Sequence, residues 1–112
     1  MNAAELSSTQ LRGYQVLKAL FGHEVSGISC QRIADGMGIK KVAVLRDLQT
    51  LQAAGLAEQL PNKAWRISPA LGRETVKMWH GIQSARARLE EAGNRYGMDD
   101  LPADTGTRYL TR

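Results

Sequence analysis

Residues 28–67 read ISCQRIADGMGIKKVAVLRDLQTLQAAGLAEQLPNKAWRI, and this segment is the most informative about the fold. Its first part predicts a short helix, because apolar residues recur at helical spacing and the glycines at 36 and 38 stop it. Residues 40–54 predict a longer helix that ends before Gly55. Residues 56–60 and 64–67 favour two short strands around a tight turn at 61–63. Helix, turn, helix and hairpin in this order form the layout of a winged helix-turn-helix.

The flanking segments predict a mainly α fold with a small β-hairpin wing and a long C-terminal helix. Hydroxyl groups at residues 7–9 can cap a first helix, which Gly22 closes. Ser68 and Pro69 suit the start of the last helix. The apolar positions of the first helix are Leu11, Tyr14, Leu17, Leu20 and Phe21. We expect a flexible N-terminus at 1–7, a winged helix-turn-helix domain at 8–69, a C-terminal helix at 70–96 and a mobile tail at 97–112.

The helix predicted at 40–54 has two different faces. Val44, Leu48 and Leu51 recur at i, i+4 and i+7, so they lie on one side and predict its core contact. In the short helix before it, Ile33, Ala34 and Met37 are expected to turn inward. The opposite side of the longer helix contains no acid and presents Val42, Ala43, Arg46, Gln49, Thr50 and Ala53.

The positive net charge of the chain favours a polyanionic partner. The chain carries a formal net charge of +4, and residues 12–88 contain 12 lysines and arginines against 5 acids. Phosphate backbones are natural partners of such a surface. The alternative is a basic excess that serves only solubility.

The longer helix is the expected reader of double-stranded DNA. DNA presents phosphates and base edges, so a reader needs a slim helix with cations near the backbone and long donors along its face. Arginine can bind a guanine edge through two hydrogen bonds, and glutamine suits adenine. The residues expected to face bases are Val42, Ala43, Arg46 and Gln49. Those expected at the backbone or in the wing are Arg12, Arg32, Lys40, Lys41, Asn62, Lys63 and Arg66.

Several short motifs resemble the N-terminal DNA-binding domain of the isocitrate lyase regulator (IclR) family of bacterial transcription factors. They are QVLKAL at 15–20, IADGMGI at 33–39, KVAV at 41–44, RDLQTL at 46–51, GL at 55–56 and WRIS at 65–68. The resemblance covers about residues 8–72 and implies a winged helix with Arg46 on its recognition helix. Leu45 stands where that family is usually polar, and Asp47 where it is usually apolar. That family carries a large effector domain, which we do not expect within these 112 residues. A small winged helix of this kind also resembles regulators of phages and other mobile elements.

The last helix predicts a homodimer. Alternating four- and three-residue steps, as in a coiled coil, connect Met78, Ile82, Ala85, Leu89, Ala92 and Tyr96. A dimer would present two recognition helices to successive major-groove faces. The alternative is that Trp79, Ile82 and Leu89 cover the protein's own first helix, and neighbouring stripes allow both arrangements. The rival function is a protein-interaction adaptor without specific DNA binding, because fold alone does not settle function.

The sequence does not favour an enzyme, a metal site or a cofactor. Cys30 is expected on the buried side of a short helix, and His23 and His80 lie in different elements without an evident third partner. The sequence contains no glycine-rich phosphate loop. Residues 1–5 do not resemble a secretory signal, no apolar run reaches the length of a membrane span, and a single cysteine needs no oxidising compartment. We therefore expect a cytoplasmic protein.

Overall fold

Four helices and one hairpin follow each other in the computed structural model, which describes residues 5–98. The elements are α1 (Ser8–Leu20), α2 (Cys30–Met37), α3 (Lys41–Ala53), β1 (Ala57–Gln59), β2 (Trp65–Ile67) and α4 (Pro69–Arg95). This confirms the predicted fold class, which is mainly helical with an antiparallel hairpin and a long C-terminal helix. The chain divides into two compact units, Met1–Thr75 and Val76–Arg112. Residues 1–4 of the expected flexible N-terminus and 99–112 of the expected tail lie outside the described residues.

Local hydrogen bonds set the ends of the helices. Ser29 Oγ accepts a hydrogen bond from the Arg32 N–H at 3.1 Å, which begins α2. Gly38 ends α2 with a φ of +67°, a left-handed conformation that favours glycine. Ser68 begins α4, because its Oγ accepts a hydrogen bond from the Leu71 N–H at 3.2 Å. These short-range contacts explain why the sequence locates the helices well.

The hairpin is anchored to the segment that precedes α2. β1 and β2 pair antiparallel, with Gln59 opposite Trp65. Ile28 forms an isolated bridge to Trp65, with both N–O distances at 2.8 Å. Gly27 has a φ of +74°, and a Cβ there would stand 2.7 Å from Leu60 Cδ1, so a side chain has no room. The bridge attaches the hairpin at a fixed place beside α2.

The core of the first unit is formed by side chains of α1, α2, α3 and both strands of the hairpin. Val44, Leu48 and Leu51 are buried, which confirms the expected core face of α3. Ile33 and Ala34 of α2 are buried as expected, and Met37 is half-buried and packs against the core. The largest fully buried side chains are Trp65, Leu20, Leu48, Val16 and Val44.

The expected apolar face of α1 is only partly right. Leu20 is buried, but Leu11, Tyr14 and Phe21 are exposed. Val16 takes the core position with Leu20, and it lies about 140° around the helix from Leu11 at 100° per residue. The helix has apolar side chains on more than one side, and only the side that packs on α3 and β2 is buried.

Candidate nucleic-acid interface

A concave surface of about 610 Å³, here called the hairpin groove, is lined by α3, the start of α2 and the hairpin. Its polar side chains are suited to a polyanion, because lysines supply positive charge and amides supply hydrogen-bond donors and acceptors. None of the described residues that line it is acidic. The charged and amide-bearing side chains are Lys41, Lys63, Gln31, Gln49, Gln59 and Asn62.

The residues expected to face bases occupy the outer part of α3. Val42 is 71% exposed, and Arg46 and Gln49 are also exposed, whereas Ala43 is half-buried. Gln49 lines the hairpin groove as well. The structure thus leaves three of the four side chains open to solvent.

Leu45 is a groove residue that sequence reasoning did not include. Lys41, Leu45 and Gln49 follow each other at four-residue spacing and line the groove together. At 100° per residue they lie on a side of α3 between its core face and its outer face. This four-residue spacing can be recognised in the sequence. The position of the hairpin, which makes this side of α3 part of a groove, cannot.

Five of the residues expected at the backbone or in the wing are exposed. They are Arg32, Lys40, Lys41, Asn62 and Lys63. Lys63 lies at the tip of the hairpin with a φ of +71°. Its carbonyl accepts a hydrogen bond from Gln59 Nε2 at 3.2 Å, and Asn62 Oδ1 accepts one from the Ala64 N–H at 3.0 Å. The turn that carries Lys63 is therefore held by its own contacts.

Arg66 is engaged within the protein. Its Nε lies 2.7 Å from Glu58 Oε1, across the hairpin. One of its terminal nitrogens also donates to the carbonyls of Glu24 at 3.4 Å and Val25 at 3.2 Å. These contacts engage Nε and one terminal nitrogen, which are donors that an arginine can also use to bind phosphate.

Arg12 is engaged in the same way. Its Nε donates to Asp47 Oδ2 at 2.7 Å and its Nη2 to Asp47 Oδ1 at 3.0 Å. This hydrogen bonding raises the pKa of the Arg12 guanidinium. Asp47 itself is only 6% exposed, and it stands at a position that is usually apolar in the family that the sequence resembles.

The stripe expected to form a dimer lies mostly at the surface of α4. Ile82 is 53% exposed and Leu89 is 74% exposed. Met78, Ala85 and Tyr96 are exposed too, while Ala92 is half-buried. Trp79, one of the residues expected to cover the first helix in the alternative arrangement, is 57% exposed. Exposed apolar side chains at this spacing suit burial against another helix.

The chemistry of Cys30 is that of a packed thiol. Burial raises the pKa of Cys30, with Lys41 acting in the opposite direction. Its Sγ lies 3.6 Å from the Lys41 carbonyl oxygen. Within residues 5–98, no group of three or more histidine, cysteine, aspartate and glutamate side chains is placed to hold a metal ion. None of the helices in this range combines the length and the apolar character that a membrane crossing needs.

Several solved structures share this fold. An IclR family transcriptional regulator from Brucella abortus is similar with a TM-score of 0.58 and 23% identity, over 68% of this chain and 29% of that chain. HmgR of Pseudomonas aeruginosa is similar with a TM-score of 0.57 and 26% identity, over 79% of this chain and 39% of that chain. A MarR family transcriptional regulator from Silicibacter pomeroyi is similar with a TM-score of 0.50 and 16% identity, over 97% of this chain and 76% of that chain.

The fold and its solved relatives define the class as winged helix-turn-helix. Because IclR and MarR family structures both match, the resemblance to the IclR family holds for the fold and does not single out that family. The sequence matches no protein-family model and no curated protein closely enough to assign one. The chain spans less than half the length of the first two structures, at 29% and 39%.

Proposed function

We propose that this chain is a small winged-helix transcriptional regulator that binds specific sequences of double-stranded DNA. The hairpin groove carries the proposal, because its lining offers lysines and amides and contains no carboxylate. A protein-binding surface has no need to exclude acids, whereas a phosphate-binding surface does. Two of the similar solved structures, from the IclR and MarR families, are transcriptional regulators, which supports the same class of function.

In this proposal α3 enters the major groove. Val42, Ala43, Arg46 and Gln49 face base edges, with Arg46 suited to guanine and Gln49 to adenine. Arg32 on α2 and the lysines at the start of α3, Lys40 and Lys41, bind phosphates. Asn62 and Lys63 bind phosphates at the hairpin tip. We leave Arg12 and Arg66 out of this set, because the Nε and one terminal nitrogen of each are already hydrogen-bonded within the protein.

A homodimer completes the proposal. The stripe from Met78 to Tyr96 on α4 would pair with the same stripe of a second copy, since a coiled coil buries residues at this spacing. Two copies would place two α3 helices on half-sites about one helical turn apart. Such a regulator would act in the cytoplasm, where DNA is accessible in a bacterium.

Selection of bound duplexes from a random pool tests the proposal at about 150 mM salt, where nonspecific binding is weak. We expect enrichment of one sequence, present as two related half-sites. The rival function, a protein-interaction adaptor, would give weak retention without enrichment. A mobility shift with the enriched duplex and a scrambled duplex then measures the affinity ratio.

Arg46→Ala should weaken binding to the enriched duplex by about 1–3 kcal/mol and relax the preference at one base position. The reason is the loss of a two-pronged contact to a base edge, which a neighbouring side chain cannot replace. Binding to single-base variants of the duplex measures the effect. Arg88→Ala is the control, because it removes the same charge from an exposed position of α4. An equal loss of affinity on every duplex would refute the base-reading role.

Lys63→Ala should weaken binding to all duplexes by a similar factor. A phosphate contact carries no base information, and its loss should reduce the slope of log affinity against log salt by about 1. Titrations between low and moderate salt measure that slope. Lys18→Ala removes a lysine from the exposed end of α1 and should leave the slope unchanged. A changed base preference in Lys63→Ala would contradict the assigned role.

A further inference from the structure

We propose that the ion pair between Arg12 and Asp47 sets the rotation of α3 about its own axis and thereby the sequence preference of the interface. Arg12 and Asp47 are positioning residues. In this proposal they do not contact DNA, and they affect binding by orienting the side chains of Arg46 and Gln49. The inference rests on the proposed function and assigns the pair a part in it.

The geometry of the pair is directional. Arg12 on α1 and Asp47 on α3 are joined by two parallel hydrogen bonds, of 2.7 Å and 3.0 Å. A two-pronged contact between a planar guanidinium and a planar carboxylate fixes orientation as well as distance. Asp47 directly follows Arg46 in α3, so whatever holds one backbone position holds the other. The pair therefore constrains the helix at the level of its central base-facing residue.

The other buried contacts of α3 do not depend on orientation in this way. Its remaining buried residues are Val44, Leu48 and Leu51, which are aliphatic. Apolar contacts stabilise by area and are not directional. The pair is partly buried, with the Arg12 side chain 26% exposed and that of Asp47 7% exposed. Ion pairs withdrawn from water add little net stability, because desolvation offsets the attraction, and apolar replacements of similar volume are often neutral or stabilising. A role in orientation accounts for a buried carboxylate better than a role in stability does.

A small rotation is enough to change base contacts. Side chains of a helix reach about 5–6 Å from its axis, so a rotation of about 15° moves their ends by about 1.5 Å. Hydrogen-bond distances span only about 0.5 Å, so Arg46 and Gln49 would lose their alignment with base edges. Lysine is a flexible point charge that tolerates such a shift at a phosphate. Loss of the pair should thus reduce specificity more than nonspecific affinity.

The test is the double variant Arg12→Met with Asp47→Leu, which replaces the pair by apolar side chains. We expect a denaturation midpoint at or above that of the native protein. The ratio of affinities for the enriched and scrambled duplexes should fall about 10-fold or more, as expected for a lost two-pronged base contact. Affinity for the scrambled duplex at low salt should stay within about 2-fold, because phosphate contacts supply it.

Two further variants make the result decisive. Arg12→Lys keeps the positive charge but loses the two-pronged geometry, so it should fold and still lower the ratio. The control is Arg86→Gln with Glu90→Gln, which removes an exposed ion pair of 3.3 Å on α4 and should leave the ratio unchanged.

The outcomes separate this inference from the function on which it rests. A native-like ratio in both Arg12 variants would overturn the positioning role alone. A fall in both affinities by one common factor would indicate a merely structural pair and would also overturn it. A native protein without any sequence preference would refute the proposed function, and the inference with it.

Discussion

Trp65→Ala should lower the free energy of unfolding by about 3–5 kcal/mol, the range for removal of a large buried aromatic side chain. Trp65 is 2% exposed and is among the largest fully buried side chains of the described residues. Its backbone also bridges to Ile28, so the cavity would open where the hairpin is attached. Urea denaturation followed by circular dichroism measures the change.

Trp79→Ala is the matched control for this prediction. Trp79 is 57% exposed, and a surface substitution usually changes stability by no more than about 0.5 kcal/mol. The chain has two tryptophans, so this variant also leaves Trp65 as the sole source of tryptophan fluorescence. Similar losses of stability in the two variants would contradict the core position of Trp65.

The double variant Ile82→Glu with Leu89→Glu should convert the proposed dimer into a monomer. Each glutamate places a charge in the apolar stripe, and two such charges would face the same stripe of the second copy. Loss of simultaneous binding to two half-sites should weaken binding to a paired duplex by about 100- to 10,000-fold. Light scattering measures the mass, and a mobility shift measures the affinity.

A variant of the opposite side of α4 provides the control for charge. His80→Glu with Ala87→Glu adds the same negative charge at exposed positions about 140–160° around the helix from Ile82. This variant should remain dimeric and bind the paired duplex like the native protein. A native protein that is already monomeric would refute the dimer, and equal effects in both variants would indicate a general effect of charge.

The elements of the fold and the core face of α3 could be predicted from the amino-acid sequence alone. Val44, Leu48 and Leu51 recur at helical spacing, and the caps at Ser29 and Ser68 act within three residues of themselves. Periodicity and capping are local properties, so they can be recognised without knowledge of the packing. The same holds for the tight turn that carries Lys63.

Which polar groups remain available to a partner depends on how the elements pack, and the sequence did not predict it. Arg12 and Arg66 look like phosphate ligands in the sequence, yet each forms an ion pair, with Asp47 and Glu58 respectively. Packing on α3 and β2 also determines that the Val16 side of α1 is the buried side. Arg12 and Asp47 are 35 residues apart, and no local spacing specifies that two helices bring them within hydrogen-bond distance. Burial and pairing of such groups depend on how the helices pack, which is a property of the whole unit.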